Sequence, residues 1–404
     1  MHATTKEILD YNAGRDPARV RLKYQALRKD PFAFFRGTAP LYFATLNMPR
    51  ALQQSPSVVA CGDLHLENFG SYKGDNRLVY FDLSDFDEVC IAPLSFDIVR
   101  FLSNVHVAAK YLKIGNKRAV SLATGFVDTY ATALASTKPR WVERATATGP
   151  VKSLLQNVKN HHRRDLIARR TELKNGKTKL IIDGKKTLKA TAQERAAATS
   201  ILAAYGSLQA HPAHFEVIDV ANRIAGVGSL GLERYVALVR GDGTSDGRYL
   251  VDIKLAKASA LATTLQIKQP AWKSEAERVV SLQRISQAIS PDLLGDIGMS
   301  TRSYVIKELQ PTADRVNLAA LNGDKRSLAE AMRAMASVIA WAHLRGASRF
   351  GADSVEKLAA HASNTAWKEV IRNVAQESAA SVFQQWKAFT SDYDESGNAF
   401  ADAL

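Results

Sequence analysis

Residues 61–70, CGDLHLENFG, set Asp63, His65, Glu67 and Asn68 between two glycines, directly after the apolar run SVVA. The stretch VYFDLSDFDE follows, with Asp82, Asp85, Asp87 and Glu88. SVVACGD and RLVYFDLSDF are short, β-branched or aromatic, and bounded by Gly and Asn, so both are expected to be strands. Carboxylates crowded at strand ends repel one another and lose hydration, a cost that falls only when something cationic sits among them. Whatever this chain folds into must bring a metal ion or basic side chains to that point.

The rest of the chain offers two textures. Residues 4–55 read as helices broken at Asp30-Pro31, FDIVRFLSNVHVAAKYL opens a helical stretch expected to run to about 148, and helix returns in TAQERAAATSILAAYGSL and after 325. Between 214 and 310, HFEVIDVANRIAGVG, ERYVALVRG, GRYLVDIKLA and YVIKELQ read as strands, with a hairpin around GDGTSDG and the helix SEAERVVSLQRISQAI inserted. KTKLIIDGKKTLKAT is expected to be a hairpin turning at Asp183-Gly184. The expected class is α+β, with a small antiparallel sheet lobe and a larger helical lobe.

A length of 404 residues suits two or three lobes. No apolar run approaches the roughly 20 residues of a membrane span, and the polar start MHATTKEILDYNAGRD lacks a secretory h-region. Cys61 and Cys90 sit in apolar contexts and are expected to be buried thiols in a reducing cytoplasm. The net charge is +14, and much of it lies in 152–189, which holds twelve lysines and arginines against three acids. That segment is a solvated face, a contact for an anionic small molecule, or a nucleic-acid contact, although it lacks aromatics that would stack on bases.

Asp63 precedes Asn68 by five positions, a spacing that lets one side chain turn to a substrate hydroxyl while the other meets a metal ion. The plainer alternative is a loop in which both cap backbone groups. Downstream, IAGVGSLGLERYVAL holds Gly226, Gly228, Ser229 and Gly231 in G-x-G-x-x-G spacing between two expected strands. A dinucleotide-binding fold would need a helix there instead. Lys254 follows within the strand YLVDIKLA.

GDLHLEN resembles the catalytic loop of the protein-kinase-like superfamily, closest to its aminoglycoside phosphotransferase and choline kinase branch, and DFDEVCIAPLSFDI resembles that branch's metal-binding segment. The resemblance implies Asp63 as catalytic base, His65 as support of the loop, and Asn68 and Asp85 as magnesium ligands, with Asp82 a competing candidate and Asp97 bracing the loop. It implies the glycine loop and Lys254 as contacts of the ATP phosphates, Glu277 or Glu275 as partner of Lys254, a hinge in YVIKELQPTADR, and MASVIAWAHLRG as the helix leading to the catalytic loop. In this chain the nucleotide-binding parts follow the catalytic loop, which implies a circularly permuted two-lobe kinase-like fold. The whole pattern also resembles a bacterial family of unassigned function grouped with that superfamily.

The expected division is a helical segment at 1–57, the catalytic and metal part with a basic hairpin at 58–210, the nucleotide lobe at 211–312, and hinge and helices at 313–404. The expected function is ATP- and Mg²⁺-dependent phosphotransfer to a hydroxyl of a small-molecule acceptor, an anionic one among the options. A pseudokinase, a nucleotidyl transferase, a metal-dependent hydrolase and a nucleic-acid-binding protein are the alternatives.

Overall fold

The computed structural model describes every residue except 160–161, 245–246, 310–315, 317, 322–323, 397–399 and 401–404. Five helices open the chain: α1 (Ala3–Asn12), α2 (Pro17–Lys29), α3 (Pro31–Gly37), α4 (Ala39–Thr45) and α5 (Arg50–Gln53). Their punctuation is chemical. Asp16 and Asp30 each accept a hydrogen bond from the backbone N–H three residues on, and a proline follows each as the first helical residue.

The acid-rich region forms β1 (Ser57–Ala60), β2 (Phe69–Lys73), β3 (Val79–Leu83) and β4 (Cys90–Pro93). β1 pairs antiparallel with β4, so residue 60 faces residue 90, and β2 pairs with β3 as a hairpin. The loops at 61–68 and 84–89 therefore leave the same end of these strands. α6 (Leu94–Val107) and α7 (Asn116–Ala135) follow, and the expected helix to 148 is interrupted by β5 (Val142–Glu143), which adds to β3, before α8 (Gly149–Lys159).

The basic segment continues as α9 (Arg163–Ala168), β6 (Thr171–Lys174), β7 (Lys177–Leu180) and β8 (Thr187–Lys189). The hairpin here is β6–β7, and it turns at Asn175-Gly176, both at positive φ. Asn-Gly supplies the two left-handed residues that a tight hairpin turn requires. Asp183-Gly184 forms a separate turn, in which the Asp183 carboxylate accepts from the amides of Lys185, Lys186 and Thr187, and β8 pairs with a later strand.

After α10 (Ala192–Gly206) come β9 (Val217–Arg223), β10 (Arg234–Val239), β11 (Tyr249–Leu255), α11 (Ala260–Thr264), α12 (Glu275–Ser286), β12 (Gly295–Met299) and β13 (Arg302–Glu308). The six-stranded antiparallel sheet has the order β12-β13-β11-β10-β9-β8. α10 covers one face of it, burying Ile201, Leu202 and Tyr205 against Val220, Ala237, Val251 and Ile306. β8 joins this sheet at its edge and α10 packs on it, both ahead of residue 214, where the sequence texture changes.

α13 (Lys325–Gly346), α14 (Val355–Ser363) and α15 (Ala366–Ser396) close the chain, and α13 and α15 pack with α6 and α7 around a large apolar core. The protein is thus α+β, with several small antiparallel sheets among many helices. No helix among the described residues is long and apolar enough to cross a membrane. Cys61 and Cys90 are free and buried.

Candidate active site

The loop 61–68 is held in place by one face of α6. Asp97 accepts hydrogen bonds from the backbone N–H of Cys61 (2.7 Å) and Gly62 (2.8 Å), Arg100 reaches Asp63, and Asn104 accepts from the N–H of Leu66 at 2.9 Å. These three side chains are spaced i, i+3 and i+7, so a single helical stripe fixes the loop at three points. His343 of α13 lies 3.2 Å from the Asp97 carboxylate and takes Tyr130 on its other ring nitrogen at 2.8 Å. Gly62 has φ +83°, and a Cβ there would collide with the Glu88 carbonyl, so glycine is the residue that fits.

Asp63 lines a cleft of about 340 Å³. Arg100, fully buried, places Nε and Nη2 at 2.9 and 2.6 Å from the same carboxylate oxygen, Oδ1. Its guanidinium also donates to the Phe35 carbonyl and lies 3.8 Å from the Phe35 ring centroid. Burial pushes the Asp63 pKa up, against the lowering effect of Arg100. His65 is buried and accepts the Glu67 amide at Nδ1, shaping the turn that ends at Asn68.

Asn68 donates its Nδ2 to the Asp63 carbonyl at 2.7 Å, while its Oδ1 is buried with no hydrogen-bond partner. Asp85 lines the same cleft. Burial opposes its ionisation, but Lys254, Lys307, Arg234 and His65 hold its pKa down to about 2. An unsatisfied amide oxygen and an ionised carboxylate facing one space suit a hard, oxygen-seeking cation. Among the described residues no group of three His, Cys, Asp or Glu side chains is arranged to hold a metal, so Mg²⁺ there would keep other oxygens, from phosphate or water. Asp82 lies elsewhere. It is buried, accepts from the amides of Leu83 and Ala288, and sits 3.5 Å from Arg345. Between the two candidate acids, Asp85 is the one in the cleft.

From the sheet side, Gly226, Gly228 and Ser229 border the cleft, and Lys254 projects into it. Gly231 stands back from it at φ +88°, where a Cβ would meet Val20 and Arg15. The expected pairing of Lys254 with α12 does not occur. Glu277 accepts the Lys273 amide at 2.6 Å and Glu275 pairs with Arg278, both in the first turn of α12, where acids suit the helix N-terminus. The partner of Lys254 is Asp87, two residues after Asp85. Val279 and Gln283 of α12, and Gln287 just after it, line the cleft.

Other participants carry no local signal. Arg278, 2 % exposed, donates to the carbonyls of Val89, Asp87 (3.0 Å) and Lys257 (2.7 Å), tying the acid-rich loop to α12. Glu88 accepts the Ala260 amide, and burial raises its pKa to about 7. The basic segment divides its charge: Arg163 pairs with Glu308 and lies over the Tyr249 ring, while Arg170 and Lys186 border the cleft. Of the stretch YVIKELQPTADR expected to run into a hinge, the first part is β13 and residues 310–315 lie outside the described residues.

A family model for uncharacterised proteins conserved in bacteria (DUF2252) matches residues 15–392. The chain belongs to that family. The match takes in the loop at 61–68, the acids at 82–88, the glycine-rich loop and Lys254, so every cleft-lining residue but Tyr11 falls in the DUF2252 region. No curated protein and no solved structure matches the chain.

Proposed function

We propose that the chain is an ATP- and Mg²⁺-dependent phosphotransferase built on a circularly permuted, kinase-like two-lobe fold and acting on a hydroxyl of a small molecule. One observation carries this: Asp63, Asn68 and Asp85 share a single cleft with Gly226, Gly228 and Lys254, residues from parts of the chain about 170 positions apart. The spacing motifs are weak one by one, and their convergence supports a common ligand. The free, buried thiols of Cys61 and Cys90 suit the reducing cytoplasm.

In this assignment Asn68 and Asp85 hold the metal ion, which supplies charge neutralisation for the phosphates when bound. Lys254, drawn forward by Asp87, and the backbone of the glycine-rich loop position the phosphate chain. Asp63 orients the acceptor hydroxyl and takes its proton, and its burial-raised pKa strengthens it as a base. Arg100 keeps that carboxylate aimed, using Oδ1 alone for both of its contacts.

The test is thermal unfolding with and without Mg²⁺·ATP for wild type, Lys254→Ala and Asp85→Asn. At a hundred times the dissociation constant a ligand stabilises by about 2.7 kcal/mol. A shift in wild type that both variants lose is the expected result. A shift that survives in Lys254→Ala, or none at all, overturns the assignment.

A further inference from the structure

The cleft has a side chamber. Tyr11, Gly37 and Pro40 border the cleft and also a second pocket of about 130 Å³, which lies between α1, α4 and the end of α11. The two spaces adjoin at those three residues, and the acid-bearing loops reach the same place. Arg36, one residue before Gly37, pairs through Nη1 with Glu67 at 2.8 Å, and the Phe35 carbonyl takes the Arg100 guanidinium that holds Asp63. Glu88 accepts the amide that opens α11, at Ala260. Tyr11 is partly exposed, and partial burial, Glu88 and Asp63 push its pKa up against the pull of Arg15, so its phenol stands near both carboxylates.

The chamber itself offers carbon. Ile8, Leu41 and Ala44 line it, and its buried polar side chains are already engaged. Asn12 donates to the Ile8 carbonyl at 2.6 Å and accepts from Lys23 at 2.8 Å, while Thr38 donates to the Phe34 carbonyl at 2.7 Å. Glu7 is the charged residue of the lining, and it is exposed. An apolar cavity of about 150 Å³ takes one benzene ring, so this chamber suits a single ring or a short branched chain. The junction differs. Arg36 keeps a buried Nε with no hydrogen-bond partner, and its charge lowers the Asp63 pKa. A spare donor beside a carboxylate suits an oxygen, and the chamber next to it suits hydrocarbon.

Resting on the phosphotransferase assignment, we propose that the chamber is the acceptor subsite and that the acceptor is an alcohol bearing one apolar group about the size of a ring. That group sits between α1, α4 and α11, with the hydroxyl at Asp63. The hydroxyl oxygen bonds to the γ-phosphorus, its proton passes to Asp63, and the bond from that phosphorus to the ADP oxygen breaks. Charged or heavily hydroxylated acceptors are disfavoured, because they lose hydration in the chamber without finding partners there.

The test is fluorine NMR with para-fluorobenzyl alcohol and, as a hydrophilic control, fluorodeoxyglucose, on wild type, Ala44→Phe and Thr264→Phe. The two substitutions fill the chamber from different helices, and neither residue borders the cleft, so the Mg²⁺·ATP unfolding shift should stay as in wild type. The aromatic alcohol is expected to bind wild type saturably, the sugar about tenfold more weakly or worse, and each variant to weaken the alcohol by about tenfold. With Mg²⁺·ATP added, para-fluorobenzyl phosphate should accumulate in wild type and, at subsaturating alcohol, about tenfold more slowly in the variants. No saturable binding, preference for the sugar, or alcohol binding that neither variant weakens overturns the subsite, and an intact Mg²⁺·ATP shift then leaves the phosphotransferase assignment standing. Binding that both variants lose, with that shift intact and no phosphate ester formed, overturns the acceptor role. Absence of the shift in wild type overturns the phosphotransferase assignment, and the acceptor role with it.

Discussion

Asp63 is tied to the fold as firmly as to its chemistry. Arg100 is wholly buried, and the Asp63 carboxylate is its counter-charge. Removing one partner of a buried pair leaves the other uncompensated, at a cost of roughly 3–5 kcal/mol. Asp63→Ala is therefore expected to lower stability to urea by about 3 kcal/mol, and Arg100→Met in the same chain to restore most of it. A double-mutant cycle that shows simple additivity would separate the two residues. Glu88 gives a pH signature of its own. Its folded pKa of about 7 stands above the ordinary 4.5, so between those values the folded chain keeps a proton that the unfolded chain releases. Stability should fall as pH rises through that window, by on the order of 3 kcal/mol. Glu88→Gln is expected to raise the midpoint of thermal unfolding relative to wild type at pH 8 and not at pH 5. An offset that is equal at both pH values would show that Glu88 does not titrate there. Asp63, Asn68, Asp85 and Lys254 were legible in the sequence because each stands in a local spacing. Asp87 and Arg278 were not, because their meaning comes from partners up to about 190 positions away.

Among the elements, α6 carried a signal that sequence alone could have supplied. Asp97, Arg100 and Asn104 are polar residues at i, i+3 and i+7 in a helix with hardly any exposed residue. Such a stripe inside an apolar helix needs partners, and the loop at 61–68 is what it holds. The Asn-Gly of KNGK likewise marks the β6–β7 turn more strongly than Asp183-Gly184 does, since only the former puts two adjacent residues in the left-handed region without strain. Glu275 and Glu277 show the opposite hazard, because acids in a first turn answer to the helix terminus before they answer to a distant lysine. The N-terminal helices acquire a role only in three dimensions. Arg15 Nη1 donates to the carbonyls of Gly228 (2.9 Å) and Leu230 (3.2 Å), and Lys23, buried enough that its pKa falls well below 10.5, donates to Gly228 at 3.2 Å. The glycine-rich loop is thus pinned by α2 and the turn before it. Arg15→Ala should speed amide hydrogen exchange across 226–232 by about tenfold while leaving α6 unchanged, as local opening becomes easier where a tether is lost. Unaltered exchange in that loop would remove the clamp from the account.

At the scale of the molecule, the sheet and the loops that face it come from opposite orders of the chain. Strands from 187 to 308 form one wall of the cleft, and the loops at 61–68 and 84–89 form the other. Sequence texture located the sheet from 214 onward and expected β8 only as half of a basic hairpin, because nothing local in this three-residue strand says that it pairs with β9. The ends of the described chain meet: the Asp392 carboxylate accepts from the His2 amide at 2.7 Å and from the Thr5 hydroxyl at 2.5 Å, and the N-terminal ammonium lies 3.7 Å from it. Permutation is tolerated where joined ends are close and the new opening is exposed and sparsely bonded. Leu208 is 70 % exposed in the turn after α10, which makes the Leu208–Gln209 bond a suitable opening. A chain with residue 404 joined to Met1 by a short Gly/Ser linker, which keeps the buried Phe400, and reopened between Leu208 and Gln209 would run glycine loop, Lys254, α13, the loop at 61–68 and Asp85, in that order. It is expected to fold with a Tm within about 5 °C of the parent, an interval that corresponds to roughly 4 kcal/mol for a chain of 404 residues. It should also keep the Mg²⁺·ATP shift, because every cleft residue stays in place. A permutant that folds and loses the shift would mean that the order of the chain, and not the assembled cleft alone, governs ligand binding.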